Sequence, residues 1–227
     1  MTLDEQKQAA ARESLRFLRD GMVVGLGTGS TATYAVRLIG ERVRAGLKIR
    51  GIPSSIQTQQ LAQELGIPLT NFDECQQIDL SIDGADEFDP QLHLIKGGGG
   101  AMLREKIVAS ATEKFVIVAD STKQVAMLGK FPVPVEVIPF AQALVAKEIA
   151  ALGASVKMRL DKGGNKYVTD EKNHILDCTF GKIPDPVALS AQLKSIPGIV
   201  EHGLFVNLAD VVLLATDSGV QEIRRPE

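Results

Sequence analysis

Short apolar runs that alternate with helix-forming segments set the architecture of this chain. MVVGLG (22–27), LKIRGIPSS (47–55), DLSIDGADE (79–87) and KFVIVAD (114–120) have the length and composition of buried strands. Between them, STATYAVRLIGERVRAG (30–46), IQTQQLAQELG (56–66) and AMLREKIVASA (101–111) carry helical spacing. This alternation predicts βαβ units and a mostly parallel sheet. A helix precedes the first strand: Thr2 and Glu5 form a capping box, Leu3, Ala10, Ser14, Leu15 and Leu18 share a face, and Gly21 ends it.

The pattern changes near Gly129. KFPVPVEVIP (130–139) contains three prolines, which suits an edge strand or an interdomain crossing. A helix over 140–153, short strands in ASVKMRL, KYVTD and HILDCTF, and a helix over 186–198 follow. ADVVLLATDSG (209–219) reads as a last buried strand returning to the first sheet. The expected fold is therefore α/β: a Rossmann-like, mostly parallel sheet domain over 1–129 plus 207–227, and a second, smaller α+β domain over 130–206.

Composition narrows the function classes. With 44% hydrophobic and 23% charged residues the chain resembles an ordinary globular protein. Its 25 basic and 28 acidic side chains give a formal charge of −3, which argues against a broad nucleic-acid surface. No apolar run is long enough to span a bilayer, and the mixed acidic and basic start fits neither a signal nor a transit peptide. Cys75 and Cys178 are far apart and read as reduced thiols of a cytoplasmic protein. The three histidines, His93, His174 and His202, lack metal-ligand spacing, so no metal is expected.

Ligands of open α/β sheets bind at the carboxyl ends of the strands, and the polar motifs of this chain fall there. GLGTGSTA (25–32) brings Gly27 and Gly29, the hydroxyls of Thr28, Ser30 and Thr31, and a helix start, a combination suited to phosphate or carboxylate. It lacks the GK[ST] of a Walker loop and matches a dinucleotide fingerprint only loosely. A tight turn with ordinary capping explains its glycines almost as well. IPSSIQT (52–58) repeats the strand-to-hydroxyl pattern, and capping by Ser54 or Ser55 accounts for it. DGADE (83–87) concentrates acids at a strand end, where Asp83 and Asp86 suit a cation, sugar hydroxyls or solvent. In KGGGGAMLREK (96–106) the glycines Gly97, Gly98, Gly99 and Gly100 permit close backbone approach to a ligand. Glu105 lies early in the following helix, where the macrodipole alone favours an acid, and Lys96 alone is explicable as a surface cation. DSTKQ (120–124) offers Lys123 to a phosphate.

GLGTGSTA, DGADE, KGGGGA-M-LREK and DSTKQ-x-x-x-LGKFPVPVEVIP occur in the order seen in ribose-5-phosphate isomerase type A, and the chain resembles that family from end to end, through GLFVNLADVVLLAT (203–216). The resemblance implies interconversion of ribose 5-phosphate and ribulose 5-phosphate in the pentose phosphate pathway, without metal or organic cofactor, by a cytoplasmic homodimer or tetramer of dimers. It implies Glu105 as general base, with Asp83, Asp86 and Lys96 lining the reacting end of the sugar. Lys7, Gly27, Thr28, Gly29, Ser30, Thr31 and Lys123 match positions that hold the substrate or its phosphate, and Gly97 to Gly100 the loop beside the open-chain sugar. The loop DKGGNKYVTDEKNH (161–174) matches no motif. A sugar-phosphate sensor is a rival reading, but no DNA-binding helix-turn-helix is visible. An amino-sugar-phosphate deaminase or a CoA transferase would share the fold, and the pairing of DGADE with KGGGG argues against both.

Overall fold

The computed structural model describes residues 1–226. In chain order the elements are α1 (Leu3–Ser14), β1 (Val23–Leu26), α2 (Ser30–Arg44), β2 (Arg50–Pro53), α3 (Ile56–Glu64), β3 (Ile78–Asp83), β4 (Glu87–Phe88) and β5 (Leu94–Ile95). There follow α4 (Met102–Ser110), β6 (Thr112–Asp120), β7 (Val133–Val137), α5 (Gln142–Ala151), β8 (Ser155–Met158) and β9 (His174–Thr179). The last are α6 (Pro186–Lys194), β10 (Ile199–His202), β11 (Leu204–Phe205), β12 (Val211–Thr216) and β13 (Gly219–Arg224). Two compact units result: Met1–Ala85 with Arg104–Gln124 and Leu208–Glu227, and Asp86–Leu103 with Val125–Asn207.

The first unit is built on a six-stranded sheet of order β13-β12-β6-β3-β1-β2. All neighbours are parallel except the β12–β13 hairpin. Strand alternation divides β1 between two apolar clusters. Val24 and Leu26 pack with Ala10, Ala11, Val36 and Ile39 of α1 and α2, whereas Val23 joins Ile52, Ile78 and Val108. Each of these large aliphatic side chains, fully buried, stabilises the unit by about 1.5–3 kcal/mol relative to exposure. From β1 the chain crosses to β2 on one side and then returns to β3 on the other. The gap between β1 and β3 is thus the sheet's topological switch point.

The second unit carries an antiparallel sheet of order β10-β7-β9-β8 and a small three-stranded one, β11-β5-β4. Val133, Val135 and Val137 of β7 pack with Val145 and Ile149 of α5, Leu193 of α6, and Leu176 and Cys178 of β9.

Several expectations are corrected. The proline-rich strand is interior, because β7 lies between β10 and β9. Pro134 is tolerated since the last β10 pair is His202 with Val135, so its missing N–H falls just past that ladder, and its carbonyl accepts from Gly203. Helix α1 stops at Ser14 and runs into a 3-10 turn, so Gly21, with φ of 86°, lies well beyond the helix end. The strand expected over 79–87 ends at Asp83, and Glu87–Phe88 pairs with β5 instead. That pairing is why Asp86–Leu103 groups with the second unit rather than with the first. KYVTD forms no strand and has only a bridge between Leu160 and Lys166. The expected return of the last apolar run does occur, as β12 pairs with β6. The β13 hairpin beyond it had no apolar signal, its strand being GVQEIR.

Candidate active site

In the first unit the polar groups gather where β1 and β3 end. Gly29 caps α2 with φ of 104°, a conformation side chains resist, and offers no side chain of its own to the helix amides. The first turn of α2, beginning at exposed Ser30 and buried Thr31, therefore presents backbone N–H groups with the positive end of its dipole. Asp83, the last residue of β3, is 3% exposed, and its Oδ1 accepts from the amides of Thr28 at 2.9 Å and Gly84 at 2.7 Å. Gly27 makes this possible: a Cβ there would lie 2.5 Å from the Asp83 Cα.

The Thr28 side chain turns inward. Its hydroxyl is within 2.8 Å of Ser54 Oγ, 2.9 Å of Ser55 Oγ and 3.1 Å of Thr58 Oγ1, and Thr58 donates to the Gly27 carbonyl at 3.0 Å. Ser55 does cap α3, accepting from the Thr58 amide at 3.0 Å, but Ser54, Ser55 and Thr58 also hold the turn at Gly27 and Thr28. Capping alone had seemed sufficient in the sequence, and only the three-dimensional convergence of the hydroxyls shows the second task. A cleft of about 210 Å³ beside Gly29, lined also by Thr33, Arg37 and Gln57, adds a cation that no motif marked.

Lys7 is half-buried on α1. Its neighbour Gln6 accepts from the Ser121 amide at 3.0 Å, tying α1 to the turn that carries Lys123. That turn is rigid, since Asp120 Oδ1 accepts from the Thr122 amide at 3.0 Å and the Asp120 carbonyl from the Lys123 amide at 3.1 Å. Glu105 is 4% exposed in the first turn of α4, which follows directly on the four glycines.

In the second unit Asp86 and the glycine loop are joined. Asp86 Oδ2 accepts from the Gly98 amide at 2.7 Å. The Gly100 amide donates to the Gly97 carbonyl at 2.9 Å, closing a turn. The amides of Gly98 and Gly100 are thus engaged, one by Asp86 and one within the loop. Lys96 is 2% exposed, so it is no surface cation. Its amide donates to the Gly203 carbonyl at 2.9 Å and its ammonium lies 5.5 Å from the centre of the Phe205 ring. Arg159 and Tyr167 also touch this loop, and nothing in their local sequence predicted it.

Among the described residues no group of three or more His, Cys, Asp or Glu side chains is arranged to hold a metal ion. No helix of the described residues is long and apolar enough to cross a membrane. Within the first unit, an open helix N-terminus lies at the same sheet end as the buried carboxylate of Asp83. Residues 50–219 match the family described as ribose 5-phosphate isomerase A (phosphoriboisomerase A).

The chain belongs to the ribose 5-phosphate isomerase A family.

The similarity runs along the whole chain. A ribose-5-phosphate isomerase A from Parvibaculum lavamentivorans is 52% identical, covering 98% of this chain and 99% of that one. The structure of ribose 5-phosphate isomerase A from Methanocaldococcus jannaschii matches with a TM-score of 0.93 at 41% identity, over 97% of this chain and 99% of its own. A D-ribose-5-phosphate isomerase in complex with phospho-erythronic acid matches with a TM-score of 0.97 at 41% identity, over 99% and 100%. The fold of these structures is therefore that of this chain.

Proposed function

We infer that this protein is an aldose–ketose isomerase that interconverts D-ribose 5-phosphate and D-ribulose 5-phosphate through a cis-enediolate. The observation that carries this reading is the lock between the anion-binding turn and the strand-end acid, the Thr28 amide on Asp83 Oδ1 at 2.9 Å. It fixes a phosphate site and a carboxylate in one rigid frame at the sheet's switch point. The full-length likeness to an isomerase complexed with phospho-erythronic acid supports it, since that ligand joins a phosphate to a planar, charged carboxylate shaped like an enediolate end.

In the proposed mechanism the phosphate rests on the turn Gly27, Thr28, Gly29, Ser30 and Thr31, with Lys7 and Lys123 supplying charge. Glu105 takes the proton from C2 of the open-chain aldose. The C2–H pair becomes the C1–C2 double bond, and the carbonyl pair moves to O1. Glu105 returns the proton to C1 and the O2 proton passes to O1, so that the O2 pair forms the C2 carbonyl and the ketose results. Lys96 and the Gly99 amide stabilise the charge that develops on oxygen, a contribution of about 10²–10³ in rate for one preorganised donor. Asp83 and Asp86 move hydroxyl protons, including those of ring opening. Binding energy from the phosphate, remote from the reacting carbons, sets their distance to the base. A homodimer and a cytoplasmic setting belong to the same proposal, and sedimentation velocity measures the first.

The test is turnover of ribose 5-phosphate in deuterium oxide. The expected result is ribulose 5-phosphate with solvent deuterium on carbon. Absence of turnover, or hydrolysis of the phosphate instead, overturns the reading.

A further inference from the structure

Resting on the function proposed above, we propose that Arg159, braced by Asp177 and assisted by Tyr167, is a positioning residue that orients the glycine loop and Asp86 for isomerisation. Arg159 Nη1 donates to the Gly97 carbonyl at 2.8 Å and to the Gly98 carbonyl at 3.1 Å. The opposite edge of the same guanidinium is fixed on Asp177, through Nε on Oδ2 at 2.9 Å and Nη2 on Oδ1. Tyr167 Oη donates to the Gly99 carbonyl at 3.3 Å. Three consecutive loop carbonyls are thereby held by two side chains of the same unit.

The geometry has a directional consequence. A trans peptide is planar, so its C=O and N–H point in opposite directions. Holding the Gly97 carbonyl on Arg159 turns the Gly98 amide the other way, where it meets Asp86 Oδ2 at 2.7 Å. Holding the Gly98 carbonyl in the same manner turns the Gly99 amide away from Arg159, as a donor to a ligand. Arg159 thus acts on the site through the loop and touches no reacting atom itself.

Only arginine suits this place. A planar fork with five donors grips a carboxylate on one edge and two carbonyls on another, which an ammonium cannot do in fixed geometry. Its backbone is pinned as well: the Arg159 amide donates to the Ile175 carbonyl and its carbonyl accepts from the Tyr167 amide, each at 2.9 Å. Tyr167 stays a neutral donor, because burial pushes its phenol up from the ordinary value. It also closes the space behind Gly100, where a Cβ would come within 2.3 Å of Tyr167 Oη. Four glycines without such a clamp would sample many backbone states, and the loop would reach its working shape only part of the time.

The experiment compares wild type with Arg159→Ala, Arg159→Lys and Asp177→Asn in the full chain. Amide hydrogen exchange at Gly97–Gly100, measured without ligand, is expected to quicken in all three. On ribose 5-phosphate kcat is expected to fall about 10²-fold for Arg159→Ala, the scale of a misplaced reacting group. KM, set by the phosphate grip, stays near wild type. Added guanidinium restores part of kcat to Arg159→Ala and none to Arg159→Lys. Wild-type kcat with wild-type loop exchange in a folded Arg159→Ala overturns the proposal, as does a kcat loss that tracks only the fraction unfolded in circular-dichroism melts. Should Arg159→Ala not fold, Arg159→Lys and Asp177→Asn decide by the same readouts. A wild type inactive on ribose 5-phosphate sinks the functional reading instead, and the loop exchange rates still decide the clamp.

Discussion

The amide of Thr28 donates a 2.9 Å hydrogen bond to Oδ1 of Asp83, a residue 55 positions further along the chain. One carboxylate oxygen thus fastens the glycine turn after β1 to the end of β3. The contact requires Gly27, because a Cβ at that position would lie 2.5 Å from the Asp83 Cα, and backbone cannot step aside as a flexible side chain can. Gly27→Ala is expected to destabilise the protein by about 1–3 kcal/mol, the usual cost of overpacking. A melting temperature lowered by about 2–4 °C for each kcal/mol follows for a chain of this size. An unchanged melt would show that the two strands separate more easily than the hydrogen bond implies.

Glu105→Gln keeps the shape of the side chain in the first turn of α4 and removes its basicity. Loss of a general base typically costs about 10²–10⁴ in rate, so kcat should fall within that range. Binding of phospho-erythronic acid, followed by calorimetry, should persist and certify the fold. A variant that isomerises at the wild-type rate assigns the proton transfer to another group.

Asp83 Oδ1 already accepts two amide hydrogens, so its capacity to ligate a cation is reduced. Charge developing on the enediolate is instead answered by buried Lys96 in the proposed mechanism. Protein dialysed against EDTA should retain its turnover. Activity that vanishes and returns only with a divalent ion would revive chelation by Asp83 and Asp86.

Glu136 is buried, and burial pushes its carboxyl up from the ordinary value of 4.5 against the opposing hydrogen bonds of Asn173 and Thr169. The folded state then holds this proton more tightly than the unfolded chain does. As pH rises from below 4.5, the unfolded state ionises first and gains stability, so the group's contribution to folding declines until the folded-state value is passed. Glu136→Gln should therefore gain stability relative to wild type at neutral pH, and the difference should shrink as the solution is acidified to pH 4.5 and below. Urea unfolding at both ends of that range measures it, and a difference that widens on acidification contradicts the assignment.

The two thiols should behave differently. Burial raises Cys178 to about 12, whereas Cys75 is half-buried, with its thiol donating to the Gln77 carbonyl at 3.1 Å. A thiolate-seeking reagent at neutral pH should modify one cysteine of the native protein, Cys75, and both after unfolding. Mass spectrometry of the native adduct identifies the site, and rapid labelling of Cys178 would mean that the core around β9 opens readily.

Much of this molecule was legible locally. Apolar runs of strand length and helical spacing depend on neighbours a few residues apart, so β1, β2 and the helices among the strands fall within the expected stretches, β6 covers its own, and β3 begins beside its expected start but ends earlier, at Asp83. Signals failed where partners are distant. The interior position of β7 could not be foreseen from KFPVPVEVIP, since a proline is tolerated or not according to where the adjacent strand happens to end. Ser54 and Ser55 looked like caps because their link to Thr28 spans more than 25 residues.

By itself the sequence determined the alternating architecture, the glycine and acid motifs at strand ends and the family, because each is written in adjacent residues. The tertiary structure alone decided which of those motifs meet. It turned the Thr28 hydroxyl inward, buried Lys96, joined Asp86 to Gly98 and brought Arg159 and Tyr167, from two segments without a functional signal, onto the glycine loop. Hydrogen bonds across tens of residues depend on the folded path of the backbone, and no local pattern encodes them.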